Sequence, residues 1–324
     1  MVLSIFAVIG GLALLTWAAD KFVDGASSTA LHLGLSPLLI GMLIIGFGTS
    51  APEIMVSVMA ALDNASNLAL GNAYGSNIVN IALMLGITAI IFPITVSSRI
   101  VRREIPLLIL VMLLVGWQLY DGRITRFETF ILLAALFAFI GWAIHQGRTK
   151  NEQLSTDPLG IDSTAEFNAP AMTMARSIFW VVAGLILLIV SSRLLVWGAV
   201  EIATALGISD LVIGLTVVAL GTSLPELASC IAAVKKGEHD LAIGNIIGSN
   251  MFNALAVVGV AGLFGTIEFD SIVFTRDWML MFALTLLLLV FCIGHGGKGR
   301  LNRIEAAVFL LIYTAYVFWI FLNP

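Results

Sequence analysis

The sequence predicts an all-α integral membrane protein with ten transmembrane helices, arranged as two inverted-topology repeats of five helices each. Three observations lead to this prediction: an apolar composition, long apolar segments separated by charged loops, and a motif pair that recurs in each half. Hydrophobic residues make up 60% of the 324 residues and charged residues only 11%, whereas a soluble domain carries roughly 25% charged residues. No soluble fold of this length could bury so much apolar surface. The chain also lacks a dense basic patch, which argues against a nucleic-acid partner.

Breaking the chain at charged and Pro/Gly-rich stretches gives ten candidate spans, close to the roughly 17–25 residues that one bilayer crossing needs. They lie at 1–18, 36–61, 68–92, 105–120, 127–145, 177–200, 211–234, 241–265, 277–294 and 304–322. Residues 1–18 lack a basic start and a clean cleavage site, so we interpret them as the first span rather than a signal peptide. The polar stretch 146–175 predicts a hydrophilic linker between a first repeat, 1–145, and a second repeat, 176–324.

The basic residues of the loops predict how the spans are oriented. The odd-numbered connections between spans carry twelve Lys and Arg residues, and the even-numbered connections carry three. By the positive-inside rule, the odd-numbered connections face the cytoplasm. The sequence therefore predicts that the linker 146–175 is cytoplasmic and that both termini lie outside.

The two halves repeat each other at a constant offset of 173 residues. Gly-Thr-Ser-Ala-Pro-Glu at 48–53 recurs as Gly-Thr-Ser-Leu-Pro-Glu at 221–226. Gly-Asn-Ala-Tyr-Gly-Ser-Asn at 71–77 recurs as Gly-Asn-Ile-Ile-Gly-Ser-Asn at 244–250. Five spans separate equivalent positions, and because five is odd the second copy enters the membrane from the opposite side. Inverted repeats with interrupted helices are typical of secondary transporters, whose site lies at the midplane between the copies.

Glu53 and Glu226 are the central candidates for an ion-binding site. Each is the only charged residue within its predicted span. A charge at the bilayer centre costs roughly 2.5–3.5 kcal/mol even on permissive scales, so a functional gain must compensate. The alternative is an ion pair with a buried base. Arg193 is the nearby candidate, but one arginine cannot serve two symmetric glutamates, so the pattern favours cation binding.

The neighbours of each glutamate supply the oxygen ligands that a hard cation such as Ca2+ or Na+ prefers. Pro52 and Pro225 interrupt the helix and free a main-chain carbonyl one turn earlier. Hydroxyl groups come from Thr49, Ser50, Thr222 and Ser223. The next span of each repeat carries a polar stripe at i, i+4 and i+8, consisting of Asn72, Ser76 and Asn80 and of Asn245, Ser249 and Asn253. Helix back-bonding by the hydroxyls and polar contacts between helices are the alternative interpretations.

At these motifs the sequence resembles the cation/Ca2+ antiporter superfamily, specifically its prokaryotic sodium/calcium exchanger branch. The resemblance covers both repeats and the hydrophilic linker. It implies a ten-helix fold in a prokaryotic cytoplasmic (inner) membrane, with four ion sites around the two glutamates and with sliding first and sixth helices. The ligands that it implies are Glu53, Glu226, Thr49, Thr222, Ser50, Ser223, Ser76, Ser249, Asn80 and Asn253, the first four as metal ligands, with main-chain carbonyls of Gly46 and Ala219.

One departure from the family concerns the coupling ion. Some sodium/calcium exchangers have an acidic residue at the position of Asn253, whereas this chain has Asn in both repeats and offers two carboxylates. The leading hypothesis is a secondary antiporter that exchanges Ca2+ for Na+ by alternating access at a site built on Glu53 and Glu226. The alternatives are the same fold coupled to H+ or K+, and a passive cation channel.

Other function classes receive no support from the spans. They contain no Ser-Lys, His-Glu-x-x-His or Cys-His constellation, so the sequence predicts no enzyme and no cofactor. The predicted partners are the lipid bilayer, Ca2+ and a monovalent cation. No obligate protein partner is evident from the sequence.

Overall fold

The computed structural model is almost entirely helical. It describes residues 2–62, 66–148, 172–206, 219–293 and 299–322. The helices of the first half are α1 (Val2–Leu33), α2 (Pro37–Ile40), α3 (Gly46–Thr49), α4 (Ala51–Leu62), α5 (Ser66–Ile78), α6 (Gly86–Ile91), α7 (Ile105–Gln118) and α8 (Arg126–Arg148). Those of the second half are α9 (Met174–Ala205), α10 (Ala219–Thr222), α11 (Leu224–Lys235), α12 (His239–Phe252), α13 (Val258–Leu263), α14 (Met279–Ile293) and α15 (Arg303–Leu322).

Two sequence predictions fall wholly or partly outside the described residues. Most of the linker predicted at 146–175 lies outside them, and so does the first part of the span predicted at 211–234. The described part of that span begins with α10 and continues as α11.

Short π-helical segments continue several of the helices. They are Gly41–Ile45 between α2 and α3, Val79–Leu85 between α5 and α6, Ile100–Glu104 before α7, Asn253–Val257 between α12 and α13, and Val273–Trp278 before α14. In a π-helical turn the backbone hydrogen bond reaches five residues along the chain, and such turns occur frequently at functional sites. Two of these segments contain the repeat-related residues Asn80 and Asn253, which the sequence places at the ion site.

Seven of the described helices are long and apolar enough to cross a bilayer, and one bent pair adds an eighth candidate. The seven are Val2–Leu33, Ala69–Ile91, Arg126–His145, Met174–Ile202, His239–Leu263, Val273–Ile293 and Arg303–Ile320. The bent pair joins Pro37–Thr49 to Ala51–Leu62 at an angle of 43°. The predicted span at 105–120 is absent from this set, since α7 alone has 14 residues and the π-helical segment that precedes it carries three charged residues, Arg102, Arg103 and Glu104.

The two longest helices, α1 and α9, pack against each other in antiparallel orientation. A Cβ atom on Gly11 would touch Leu195, whereas a Cβ atom on Gly25 would touch the segment around Trp180, so residue numbers rise along one helix as they fall along the other. Small residues occupy every seventh position on both helices: Ser4, Gly11, Ala18 and Gly25 on α1, and Ser177, Gly184, Ser191 and Gly198 on α9. These small residues allow the two backbones to come into direct contact.

This close contact leads to a prediction for two adjacent glycines. A Cβ atom on Gly11 would lie 3.0 Å from the backbone nitrogen of Leu195, but a Cβ atom on Gly10 would meet no described atom within 4 Å. Overpacking costs about 1–3 kcal/mol. We therefore expect Gly11→Val to lower the melting temperature of the purified protein by about 2–10 °C, and Gly10→Val to leave it within about 2 °C. Equal shifts for the two variants in a thermal melt would contradict the α1–α9 contact.

Helix α1 continues well beyond its predicted end. The sequence analysis ends the first span at residue 18, before the charged pair Asp20 and Lys21, but α1 runs for 32 residues. The reason is that both charges have partners: Lys21 Nζ lies 3.8 Å from Asp24 Oδ2, and Asp20 Oδ1 lies 3.8 Å from Lys236 Nζ. Lys236, which follows α11, donates to Asp24 Oδ1 at 2.7 Å and to the main-chain oxygen of Asp20 at 2.6 Å. The contacts join α1 to the turn between α11 and α12.

Two small antiparallel sheets connect loops of the first half with loops of the second half. Strand β1 (Ile94–Thr95) pairs with β4 (Arg300–Leu301), and β2 (Arg123–Ile124) pairs with β3 (Ile267–Glu268). The sequence repeat relates β1 to β3 by the 173-residue offset. Strands β2 and β4 are 177 residues apart, so the two pairings correspond to each other with a shift of four residues in these strands.

Helix α12 and its continuation form the centre of the molecule. Every residue from Leu241 to Gly259 is buried. On one side of α12 lie α2, the π-helical segment Gly41–Ile45 and α3, which approach so closely that Gly41, Gly46, Gly244 and Gly248 leave no room for a Cβ atom. This packing places the segment that leads into the motif at 48–53 of the first half against the motif at 244–250 of the second half.

Candidate functional site

Each of the two central glutamates lies in the first turn of a helix that follows an interruption. Ser50 separates α3 from α4, and Ser223 separates α10 from α11. The following helices begin with Ala-Pro-Glu and Leu-Pro-Glu, and proline is well tolerated in a first turn because the N–H groups there have no intrahelical acceptor. A first turn also lies at the positive end of the helix dipole, which favours a negative charge. The interruption therefore both exposes polar backbone and stabilises a carboxylate.

The carboxyl groups of Glu53 and Glu226 are deeply buried, each residue being 1% exposed. They lie within electrostatic reach of each other. Neither carboxyl oxygen of either residue has a hydrogen-bond partner within the described ranges. Arg193, the base considered as an alternative partner, is exposed on α9. Two buried carboxylates without a basic partner are strongly unfavourable unless a cation binds between them or a proton neutralises one of them.

Further buried oxygen atoms lie on segments that pack against the two glutamate helices: α4 contacts the segment Asn253–Val257, and α11 contacts the segment Val79–Leu85. Four of them also lack a hydrogen-bond partner in the part of the chain that the structure describes: Ser50 Oγ, Ser223 Oγ, Asn80 Oδ1 and Asn253 Oδ1. Ser223 lies beside Glu53, and Thr49 lies beside Glu226, so each glutamate faces a hydroxyl residue of the other half. Buried polar atoms are normally hydrogen-bonded. A cluster of unsatisfied carboxylate, hydroxyl and amide oxygens is the donor set of a hard cation.

The other predicted site residues differ in their degree of burial. Thr49 and Ser249 are fully buried, and Ser249 Oγ donates to the main-chain oxygen of Gly46 at 3.3 Å. Ser76 is buried as well, and Thr222 is half-buried. Ala219 begins α10, and its side chain lies outside the described residues.

The back-bonding alternative for the hydroxyl residues is observed at Thr49. Its Oγ1 donates to the main-chain oxygen of Ile45 at 3.0 Å. The same hydroxyl also lies 3.3 Å from Asn245 Oδ1 and 3.5 Å from Ser249 Oγ. Back-bonding and a place in the site are therefore compatible, because the Thr49 hydroxyl points towards the second half of the chain.

The asparagines of the repeated motifs connect the two halves. Asn80 and Asn253 are each 1% exposed and lie at the start of their π-helical segments. Asn80 Nδ2 donates to Asn250 Oδ1 at 3.0 Å, and Asn77 Nδ2 donates to the main-chain oxygen of Asn250 at 3.2 Å. The polar contacts between helices that the sequence analysis kept as an alternative are therefore present, while Asn80 Oδ1 and both polar atoms of Asn253 remain without a partner among the described residues.

Three contacts near the site were not predicted from the sequence. Ser192 on α9 donates to the main-chain oxygen of Gly221 at 2.5 Å, which is the carbonyl that Pro225 leaves without its helical partner. Ser57 and Cys230, which share the 173-residue offset, each contact an asparagine amide. The offset itself is a signal that relates Ser57 to Cys230, but no sequence feature indicates that α9 approaches Gly221.

Residues 3–145 and 176–322 match the protein family described as "Sodium/calcium exchanger protein". The chain belongs to the sodium/calcium exchanger family. The resemblance inferred from the repeated motifs is thereby confirmed. Members of the sodium/calcium exchanger family are membrane transporters, so this chain is a cation antiporter and not an enzyme.

Individual proteins match nearly the whole chain. The putative antiporter CaxA of Alkalimonas amylolytica is 46% identical over 321 residues, covering 99% of each chain. The inner membrane protein YrbG of Escherichia coli is 37% identical, covering 99% of this chain and 98% of YrbG. A structure of the sodium-calcium exchanger NCX_Mj, soaked with 2.5 mM Na+ and 0.1 mM Ca2+, superposes with a TM-score of 0.82 at 31% identity over 98% of both chains.

Proposed function

We propose that this chain exchanges Ca2+ for Na+ across a prokaryotic cytoplasmic membrane, by alternating access at a site built on Glu53 and Glu226. The observation that carries the proposal is the pair of buried carboxyl groups, contributed by repeat-related helices and without a hydrogen-bond or basic partner among the described residues. Two carboxylates neutralise one Ca2+. The family assignment and the name of the structurally similar exchanger support the same pair of ions.

The proposed ligands are oxygen atoms from both halves. Ca2+ is bound by Glu53, Glu226, Thr49 and Thr222. The Na+ ligands add Ser50, Ser223, Ser76, Ser249, Asn80 and Asn253, with the main-chain carbonyls of Gly46 and Ala219. Support comes from the unsatisfied oxygens of this set, which need a ligand other than the protein.

The proposed architecture is the ten-helix inverted repeat, with repeats at 1–145 and 176–324 joined by a cytoplasmic linker at 146–175. In this proposal α7 and α11 contribute the two spans beyond the eight candidates. Support comes from the antiparallel packing of α1 against α9, and from the two sheets, each of which pairs two predicted loops of the same side. The excess of basic residues in the odd-numbered loops supports the orientation with both termini outside.

A second candidate function keeps the fold and the site but changes the coupling ion. Asn253 occupies the position at which some exchangers carry an acid, so the site has two carboxylates and no group of three acidic, His or Cys residues among the described ones. Several Na+ ions bound to two carboxylates would leave excess positive charge. Coupling to H+ or K+ is therefore the alternative to coupling to Na+.

The test is uptake of radioactive calcium into proteoliposomes that contain the purified protein. Gradients of Na+, K+ and H+ are imposed one at a time, with the membrane potential clamped. We expect outward Na+ gradients to drive uptake and the other two to be ineffective. Uptake driven only by a gradient of H+ or K+ would show that this ion, and not Na+, is the coupling ion. Calcium flux that is independent of all three gradients would indicate a channel and overturn the antiport proposal.

A further inference from the structure

We propose that Asn245 is a positioning residue that aligns ligands from three helices, and that Asn72 positions the helix of Glu53 in the same way. The inference rests on the proposed function, because it explains how that cation site is held in shape. Both residues belong to the repeated Gly-Asn motif. Their amide nitrogens donate hydrogen bonds to other residues, in contrast to the buried site oxygens that have no hydrogen-bond partner among the described residues.

The two amides make the same contacts in the two halves. Asn72 Nδ2 donates to the main-chain oxygen of Glu53 at 3.0 Å and to Ser57 Oγ at 2.9 Å. Asn245 Nδ2 donates to the main-chain oxygen of Glu226 at 3.3 Å and to Cys230 Sγ at 3.3 Å. Each amide thus bridges two positions one turn apart on the helix that carries the glutamate. This bridge fixes the rotation of that helix about its axis, and with it the direction of the carboxyl group.

The oxygen atom of Asn245 makes a second set of contacts, across the boundary between the halves. It lies 3.3 Å from Thr49 Oγ1 and 3.5 Å from Ser249 Oγ. A threonine hydroxyl has one hydrogen and two lone pairs. Donation of that hydrogen to Ile45, at 3.0 Å, or to Asn245 leaves both lone pairs free to bind a cation, and the choice of acceptor sets the direction in which they point. Asn245 therefore orients a ligand of the first half while it holds the helix of Glu226 in the second half.

The contacts require an amide at position 245. The residue is 1% exposed, and it uses two donors on one side and one acceptor on the other. An aspartate of the same shape would place a second acceptor against the Glu226 carbonyl and would lose both donors. An alanine would leave the Thr49 hydroxyl with Ile45 as its acceptor, at 3.0 Å.

The test measures the KM for Ca2+ uptake and the melting temperature for Asn245→Ala and Asn72→Ala. Loss of a group that orients metal ligands typically weakens metal binding by about 10–100-fold, so we expect KM to rise at least about tenfold with a smaller change in maximal rate. Asn72 is only part-buried, so its variant is informative even where Asn245→Ala folds poorly.

The matched control is Gln118→Ala. Gln118 is a 1% exposed amide whose Nε2 donates to the main-chain oxygen of Glu128, in the first turn of α8, at 3.1 Å. Like Asn72 and Asn245, Gln118 donates a side-chain N–H to the main-chain oxygen of a glutamate, but it lies away from the proposed site. We expect Gln118→Ala to lower the melting temperature like the asparagine variants and to leave KM within about twofold.

A double-mutant cycle separates positioning from general support of the fold. If Asn245 acts through Thr49, the KM increases of Asn245→Ala and Thr49→Val are non-additive, whereas Asn72→Ala and Thr49→Val are additive. Additive effects in both cycles, or an equal rise of KM in Gln118→Ala, would overturn the positioning role while leaving the proposed function intact. Wild-type protein that neither binds nor transports Ca2+ would overturn both.

Discussion

Glu53→Gln and Glu226→Gln are each expected to reduce Ca2+ uptake by at least about 100-fold. Glutamine keeps the shape of the side chain and removes its charge. At an effective dielectric constant of about 20, a divalent cation about 4 Å from one carboxylate gains about 8 kcal/mol. Losing only a third of this attraction, about 2.7 kcal/mol, already lowers affinity about 100-fold. Initial uptake rates at a fixed Na+ gradient measure the loss.

Thermal stability without ions distinguishes this result from misfolding. The carboxyl groups are buried and unpartnered among the described residues, so neutralising one of them removes an unfavourable charge. We expect the ion-free variants to melt at the wild-type temperature or above it. The matched control is Glu128→Gln, in the first turn of α8, where the carboxylate accepts bonds from Thr125. That variant is expected to keep its uptake, and a loss there equal to that of Glu53→Gln would refute a specific role for the buried pair.

Gly248→Val is expected to abolish uptake and to lower the melting temperature by about 6–12 °C, the effect of about 3 kcal/mol. Its Cβ atom would lie 2.6 Å from the Cα atom and 2.8 Å from the carbonyl carbon of Met42. These are backbone atoms, so no change of rotamer relieves the clash. The substitution therefore pushes α12 away from the segment that carries Gly46 and Thr49, and it separates ligands of the two halves. Circular dichroism melts and uptake assays measure the two effects.

Gly141→Val is the matched control for this prediction. Gly141 also lies within a long apolar helix, α8, but it is exposed, and a Cβ atom there would meet no described atom within 4 Å. We expect normal uptake and a melting temperature within about 2 °C of wild type. If Gly248→Val were as well tolerated as Gly141→Val, the close approach of α12 to the first half would be wrong.

The candidate site is largely visible in the sequence because its parts are local motifs. Proline two residues after Ser50 predicts an interrupted helix next to Glu53, and the structure interrupts the chain at Ser50. The corresponding break in the second half is at Ser223. The repeat offset alone relates Glu53 to Glu226. Each of the two is the single charged residue of its predicted apolar span. A charge inside a membrane is costly and is retained where it has a function, so this feature selects both residues.

The ends of the helices and the partners of the polar groups were less accessible to sequence analysis. Charge along the chain predicts an end of the first span before Asp20, yet α1 continues because Lys236, more than 200 residues away, reaches Asp20 and Asp24. Likewise, the spacing of Asn72, Ser76 and Asn80 predicts a shared helix face, but not that Asn72 bonds to the Glu53 carbonyl.

The sequence by itself determined the apolar helical class, the repeated motifs and the family, and it singled out Glu53 and Glu226 as the candidate site. Only the tertiary structure decided that Asn245 joins Thr49 to the helix of Glu226, and that α1 and α9 form an antiparallel pair. The physical reason is that periodicity tells which side chains share one face of a helix. Which other helix meets that face depends on where small residues let two backbones come into contact, and that is a property of both surfaces together.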